Sequence, residues 1–402
     1  GEKLLAHLDY VETLAEFRLP THEDTLEFFS PPLPYVPPAL LVHLGVDTLS
    51  ALKGAQLANV VYSMALCLFL MKICDSLRPD AGNLKVLALG LLGMLPVYYK
   101  TFAFVRGEPL LAAAVVFTIH RAIVLFVAGS RRRKDILLLG LGLGLAVLSR
   151  QMGFFLFPPV MLLALVAMLQ RPENRRAHLK AILGALVISA VIGGWYYGHL
   201  HAAYGSITAF NREPAKQFAL SNQSAGFFTD LALDRVFTDP IRNAFPNRLL
   251  PIFYSEVWGD YWCYFVVWGR NTARGRFISG QDLDRSLGMD PRPGWLTTNR
   301  REIGRYLGRV NLVSLLPSAV LIAGCLLSLP AVGSAVRRRA DPATLVRLFL
   351  VLVVACTAAG YFWFLIIYPS PRAGRTIKAT YVLHVFPLLC ILAGDRLLRI
   401  RE

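Results

Sequence analysis

Apolar residues in this chain come in blocks roughly twenty residues long, the length that carries an α-helix across about 30 Å of hydrocarbon. The blocks fall near 57–76, 84–104, 109–129, 135–149, 151–170, 180–201, 311–331, 346–368 and 378–397. They predict an all-α polytopic membrane protein with about nine embedded helices, because only helices and closed barrels satisfy their backbone inside lipid. The fourth and fifth blocks are short and run together, so they read as a hairpin turning near Arg150–Gln151. Charged residues make up 17% of the 402, against about 25% in ordinary soluble domains.

The net charge of +16 would suggest nucleic acid in a soluble protein. Here the basic residues sit in short runs between apolar blocks, as the positive-inside rule expects, and no nucleic-acid-binding motif accompanies them. Arg131 to Lys134, Arg171 to Lys180, Arg337 to Arg339 and Arg396 to Arg401 all fall on one side if the spans alternate. That side is expected to be cytoplasmic. The six cysteines form no CxxC pair and mostly lie in apolar blocks, so buried thiols are expected rather than a disulfide framework or a zinc site.

The chain then divides into four parts. Residues 1–55 form a first outer loop, in which Leu4 to Ala15 repeats at helical spacing up to Pro20 and Ala39 to Leu44 makes a second short segment. Both read as helices lying on the membrane surface. Residues 56–201 carry the first group of spans, 202–310 form a large extracytoplasmic loop or cap, and 311–402 carry the last spans. An outer N-terminus without a signal sequence leads to the expectation of one further span upstream of Gly1. Gly140 to Gly144 lies inside an apolar block with no strand before it, so it reads as a close helix contact and not as a phosphate loop.

Under this topology, ionisable residues converge on the outer edge, where they are costly unless solvated, paired or functional. Arg106-Gly-Glu-Pro109 joins two spans in a tight turn. Arg150 sits at the tip of the hairpin, and Arg372 and Lys378 precede the last span. Glu256 and Asp260 lie among aromatic residues that include Trp258. The first loop adds Glu2, His7, Asp9, His22 and Glu27. A carboxylate here can take a proton from an acceptor hydroxyl as it attacks a sugar carbon. Arginines and lysines can hold a phosphate leaving group. Aromatic rings offer a surface for a sugar. Alternatively, the cations are a snorkelling rim. His199 and His201, at i and i+2, do not share a helix face and make a poor metal pair.

The order of these features resembles the GT-C superfamily of membrane glycosyltransferases, near the bacterial protein mannosyltransferases and the lipid A aminoarabinose transferase. The resemblance rests on His7 to Glu16 with Arg18-Leu-Pro20, on Glu27-Phe-Phe-Ser-Pro-Pro-Leu-Pro-Tyr35, on Arg106 to Pro109, on Gly140 to Gln151 and on Thr376 to Tyr381. It implies a polyprenyl-phosphate-linked sugar as donor, an inverting transfer, and an active site on the periplasmic or luminal face of a bacterial inner membrane. It implies a catalytic carboxylate just before the position of His7. Glu2 is that residue, or the base lies upstream of Gly1; Glu27 and Glu108 are the next candidates. Arg106, Arg150, Arg372 and Lys378 would hold the donor phosphate, and His7, Asp9, Glu256, Trp258 and Asp260 would contact substrate. The resemblance fixes no cofactor, and a divalent metal near His22 and Glu27 is an option. The acceptor is open: lipid, glycan or protein. Two other readings stay in play, a transporter or flippase and a non-catalytic scaffold derived from a transferase.

Overall fold

The computed structural model describes residues 6–242, 244–262, 294–330, 333–334, 340–371 and 374–401, with backbone alone at 294–302 and 401. Every regular element among them is helical. In chain order these are α1 (Ala6–Ala15), α2 (Val36–His43), α3 (Thr48–Leu77), α4 (Gly82–Gly93), α5 (Pro96–Phe102), α6 (Glu108–Ala122), α7 (Arg133–Ser149) and α8 (Phe157–Gln170). They continue with α9 (Arg175–Tyr204), α10 (Ala225–Thr229), α11 (Leu233–Val236), α12 (Leu249–Trp258), α13 (Gly294–Val313), α14 (Leu315–Leu326), α15 (Pro342–Ile367) and α16 (Phe386–Arg401).

Seven helical stretches are long and apolar enough to cross a membrane, or eight if the bent pair α4 and α5 counts as one span. The chain is therefore a multi-pass, helical, membrane-type protein. Nine apolar blocks are expected to embed, and seven or eight helical stretches among the described residues meet the length and composition of a span. The difference lies in α7, whose 17 residues rise only about 25 Å. The block at 84–104 is not one straight rod either: α4 and α5 meet at 72°, where Pro96 cannot continue the hydrogen bonding of the preceding turn.

The first surface helix ends at Ala15, before Pro20, and Phe17 follows it with a left-handed φ of 60°. The hairpin at Arg150 is present. Arg150 is extended between α7 and a 3-10 turn, Gln151–Leu156. The chain doubles back so tightly that a Cβ on Gly153 would lie 2.4 Å from the Ala146 carbonyl oxygen. The reading of Gly140 to Gly144 as a close helix contact also holds. A Cβ on Gly140 or Gly144 would fall 2.6 or 2.7 Å from Ile188 or Ile192 of α9.

Burial follows sequence. In an apolar 18-residue window of Glu108–Val127, rich in alanine, 78% is buried, against 28% in the corresponding window of α3. Leu57, Val61 and Met64 on α3 stay exposed at 67%, 58% and 68%, as residues facing lipid do. Residues 202–310 contain α10 to α12 and the start of α13.

Candidate functional site

The N-terminus of α6, the end of α7, the start of α8, the end of α15 and the segment before α16 all come to one end of the bundle, beside the first loop. Two features bring the charges together there. The first is Gly107. A Cβ at that position would meet the Ser149 carbonyl oxygen at 2.2 Å and the Arg150 side chain at 2.8 Å, so only glycine lets the α6 terminus approach the hairpin tip. The second is the Pro31-Pro32-Leu33-Pro34-Tyr35 turn, which fixes the chain after Ser30.

Arg150 is the hub. Its Nη2 donates to Glu108 Oε1 at 3.0 Å, and its Nη1 donates to Ser30 Oγ at 2.5 Å and to Glu27 Oε2 at 3.2 Å. Arg106 Nε lies 3.1 Å from the other Glu108 oxygen. Ser30 Oγ donates to Glu27 Oε2 at 2.7 Å. The Ser30 carbonyl accepts from Tyr10 at 2.7 Å and from Tyr196 at 2.8 Å. His7 Nδ1 pairs with the Tyr35 hydroxyl at 2.8 Å, and Tyr35 stacks on Tyr10 with ring centroids 4.2 Å apart.

These contacts set the protonation states. Burial alone would raise the Glu27 carboxyl, but His7, Arg150 and the Ser30 hydroxyl outweigh it and hold it down to about 2. Burial pushes His7 down to about 4, so it is neutral at neutral pH. Burial and the nearby Arg106 guanidinium lower Lys378 to about 8, against the pull of Glu27 and Glu108. Lys378 is partly exposed, and its Nζ lies 5.7 Å from the centre of the Tyr381 ring. Among the described residues no carboxylate forms an ion pair with it. Three cations, Arg106, Arg150 and Lys378, thus face the carboxylates Glu27 and Glu108, with Glu256 near enough to act on Arg106 and Lys378, and among the described residues Lys378 is the cation of the three without a direct ion pair.

Beside this group opens a cleft. Ser30, Arg150 and Gln151 form its polar side, and Phe210, Phe364 and Tyr381 form its apolar side. Its volume is about 20 Å³, room for a water, and it is open to one side. A larger ligand enters only as the walls part or by sitting at the mouth. Gln151 donates to the carbonyls of Phe29 at 3.2 Å and Ala209 at 2.9 Å, which ties the first loop to the chain after α9.

Of the residues singled out from sequence, the structure gathers His7, Glu27, Arg106, Glu108, Arg150 and Lys378. Glu256, Trp258 and Asp260 are all buried and none lines the cleft, although Glu256 is close enough to Lys378 and Arg106 to feel their charge. Lys100 holds that neighbouring region together, donating to the carbonyls of Glu256 at 2.9 Å and Gly259 at 2.6 Å. Burial raises Glu256 to about 7 although Lys100 pulls it down. Asp9 is on α1 two residues beyond His7, hence on a different side of that helix. Glu2 and Arg372 lie outside the described residues. His22 packs edge-on against Phe28 and Tyr204, and among the described residues no group of three or more His, Cys, Asp or Glu could hold a metal ion. Sequence reasoning missed Ser30, Tyr10, Tyr196 and Gln151. The serine at least stood beside Glu27 in a motif already noted.

Comparison with protein-family models, with curated proteins and with solved structures found no match to this chain.

Proposed function

We propose that this chain is a membrane glycosyltransferase that moves a sugar from a polyprenyl-phosphate donor to an acceptor, with inversion, at the end of the bundle that holds the cleft. We take that end as the periplasmic side of a bacterial inner membrane. The observation that carries the reading is the Lys378 ammonium, which forms no ion pair among the described residues, beside the paired Arg106, Arg150, Glu27 and Glu108. Paired arginines and carboxylates need no ligand, whereas a cation without an ion pair, here over the Tyr381 ring that lines the cleft, is a site for an anion. Apolar walls beside it suit a prenyl chain and a sugar face.

In the reaction, the acceptor oxygen bonds to the anomeric carbon as the bond from that carbon to the phosphate oxygen breaks. The bonding pair leaves with the polyprenyl phosphate, whose developing charge Lys378 stabilises. The acceptor proton passes to Glu27, the more exposed of the two paired carboxylates, with side-chain exposures of 20% against 1% for Glu108. At about 2, free Glu27 is a weak base. A bound phosphate offsets the positive field that lowers it, and so raises its proton affinity when it is needed.

The pH dependence tests the anion site. Lys378 is charged below about 8 and neutral above it. Donor affinity of the free protein is therefore expected to fall as pH rises through that value. In Lys378→Arg, which stays charged throughout, the limb near pH 8 is expected to disappear. Titration of donor binding against pH checks this, and an unchanged limb in the arginine variant would exclude Lys378 as its origin.

A further inference from the structure

Ser30 stands where the first loop meets the charged group, and each of its polar atoms is used. Residues 27–30 form a turn closed by the Ser30 N–H, which donates to the Glu27 carbonyl at 2.8 Å. Pro31 and Pro32 stiffen the chain that follows. The Ser30 carbonyl accepts from Tyr10 of α1 at 2.7 Å and from Tyr196 of α9 at 2.8 Å. The residue is 1% exposed, yet it lines the cleft. Two helices thus pin its backbone while its side chain stays at the polar wall.

The direction of its hydroxyl proton follows from its two neighbours. Arg150 Nη1, 2.5 Å from Ser30 Oγ, can only donate. Ionised Glu27 can only accept, and its Oε2 lies 2.7 Å from the same hydroxyl. The proton has one place to go, so the hydrogen bonds run from Arg150 through Ser30 to Glu27. Arg150 also reaches Oε2 directly, at a longer 3.2 Å, while its other terminal nitrogen serves Glu108. Both bonds to Glu27 end on the same oxygen. Oε1 accepts none among the described residues, and the side chain keeps 20% exposure.

We propose that Ser30 is the positioning residue of the proton transfer: by holding Oε2 of Glu27 it presents Oε1 to the acceptor, and Oε1 takes the proton. This rests on the reading of Glu27 as the base. As the acceptor oxygen bonds to the anomeric carbon and the phosphate leaves with the bonding pair, the acceptor's O–H proton passes to Oε1. Without the serine hydroxyl, the carboxylate keeps only the 3.2 Å contact to Arg150 and can turn about its last side-chain bonds. A reacting group displaced by about 1 Å can lose about 10²-fold in rate.

Hydrolysis of undecaprenyl-phosphate-linked hexoses by the purified protein, with water as the acceptor, tests it; the hexose turned over fastest is carried forward. Ser30→Ala is expected to lower turnover about 10²-fold. Retention of undecaprenyl phosphate is expected to stay near that of wild type, because Lys378 is untouched. Ser30→Thr, which keeps a hydroxyl, is expected to recover most of the loss. Ser30→Cys, a weaker donor of nearly the same size, is expected to fall between, and it gives the same comparison where alanine does not fold. The sharpest readout is the double change. In Glu27→Gln, adding Ser30→Ala is expected to cost nothing further, because Ser30 acts only through Glu27; a serine that merely held the fold would cost the same factor in both backgrounds. Unchanged turnover in Ser30→Ala, or an equal loss in both backgrounds, overturns the assignment of Ser30 and leaves Glu27 in place. Turnover by Glu27→Gln close to wild type, or no hydrolysis of any hexose donor by wild type, overturns the reading of the base and this inference with it.

Discussion

Arg150→Ala is expected to lower stability by about 3–5 kcal/mol, the cost of removing one partner from a buried ion pair. The size follows from what the change leaves behind. Glu108 has a side-chain exposure of 1% and would keep only Arg106, while Glu27 and Ser30 would lose their shared donor. Water has little access to replace the lost bonds. Three segments distant in sequence, the first loop, the α6 terminus and the hairpin tip, meet on this one guanidinium, so the damage is expected to spread to the packing of the first loop. Thermal unfolding in detergent checks this, with Arg150→Lys expected to recover part of the loss because lysine restores the charge but not the forked geometry. A midpoint for Arg150→Ala equal to wild type would show that the hub is dispensable.

Glu27→Gln carries the second large effect. If Glu27 takes the acceptor proton, the amide is expected to reduce turnover by about 10²–10⁴-fold. Donor binding is expected to change little, because Lys378 remains and one negative charge near the phosphate is gone. Glutamine keeps the shape and can still bond Ser30, so a fold defect is not expected. Release of polyprenyl phosphate, measured beside donor affinity, separates the two. Near-normal turnover would remove Glu27 from the proton path. Glu108→Gln gives a contrast. Glu108 is fixed between two arginines, so its loss is expected to show first in stability.

How much of this was legible beforehand depends on the range of the contact. The spans follow from apolar blocks, a local property of the chain, and each block became helix. The bend between α4 and α5 had a local cause in Pro96, yet hydropathy averages over a proline and reports one block. The convergence of Arg106, Glu108 and Arg150 was half legible. Alternation of spans places both turns at one end, but the contact depends on Gly107, whose missing Cβ admits the Ser149 carbonyl. The Tyr196 bond to Ser30 joins residues 166 apart in sequence, and no local pattern announces it. Lys100 is the opposite case. It lies near the end of an apolar block, where a lysine can snorkel to the rim, but it reaches buried carbonyls of Glu256 and Gly259 and is a strut in the interior. Trp258 likewise looked like a sugar platform among aromatic neighbours, and it is packed in the core at 5% exposure.

The most direct test of the central claim is retention of polyprenyl phosphate by the purified protein, wild type beside Lys378→Gln, at a pH below 8. The account predicts a bound lipid of that mass in wild type and markedly weaker retention in the glutamine variant, with both proteins equally folded. No retention by folded wild type in excess lipid, or equal retention by the two, would contradict it and return the transporter and scaffold readings to the front.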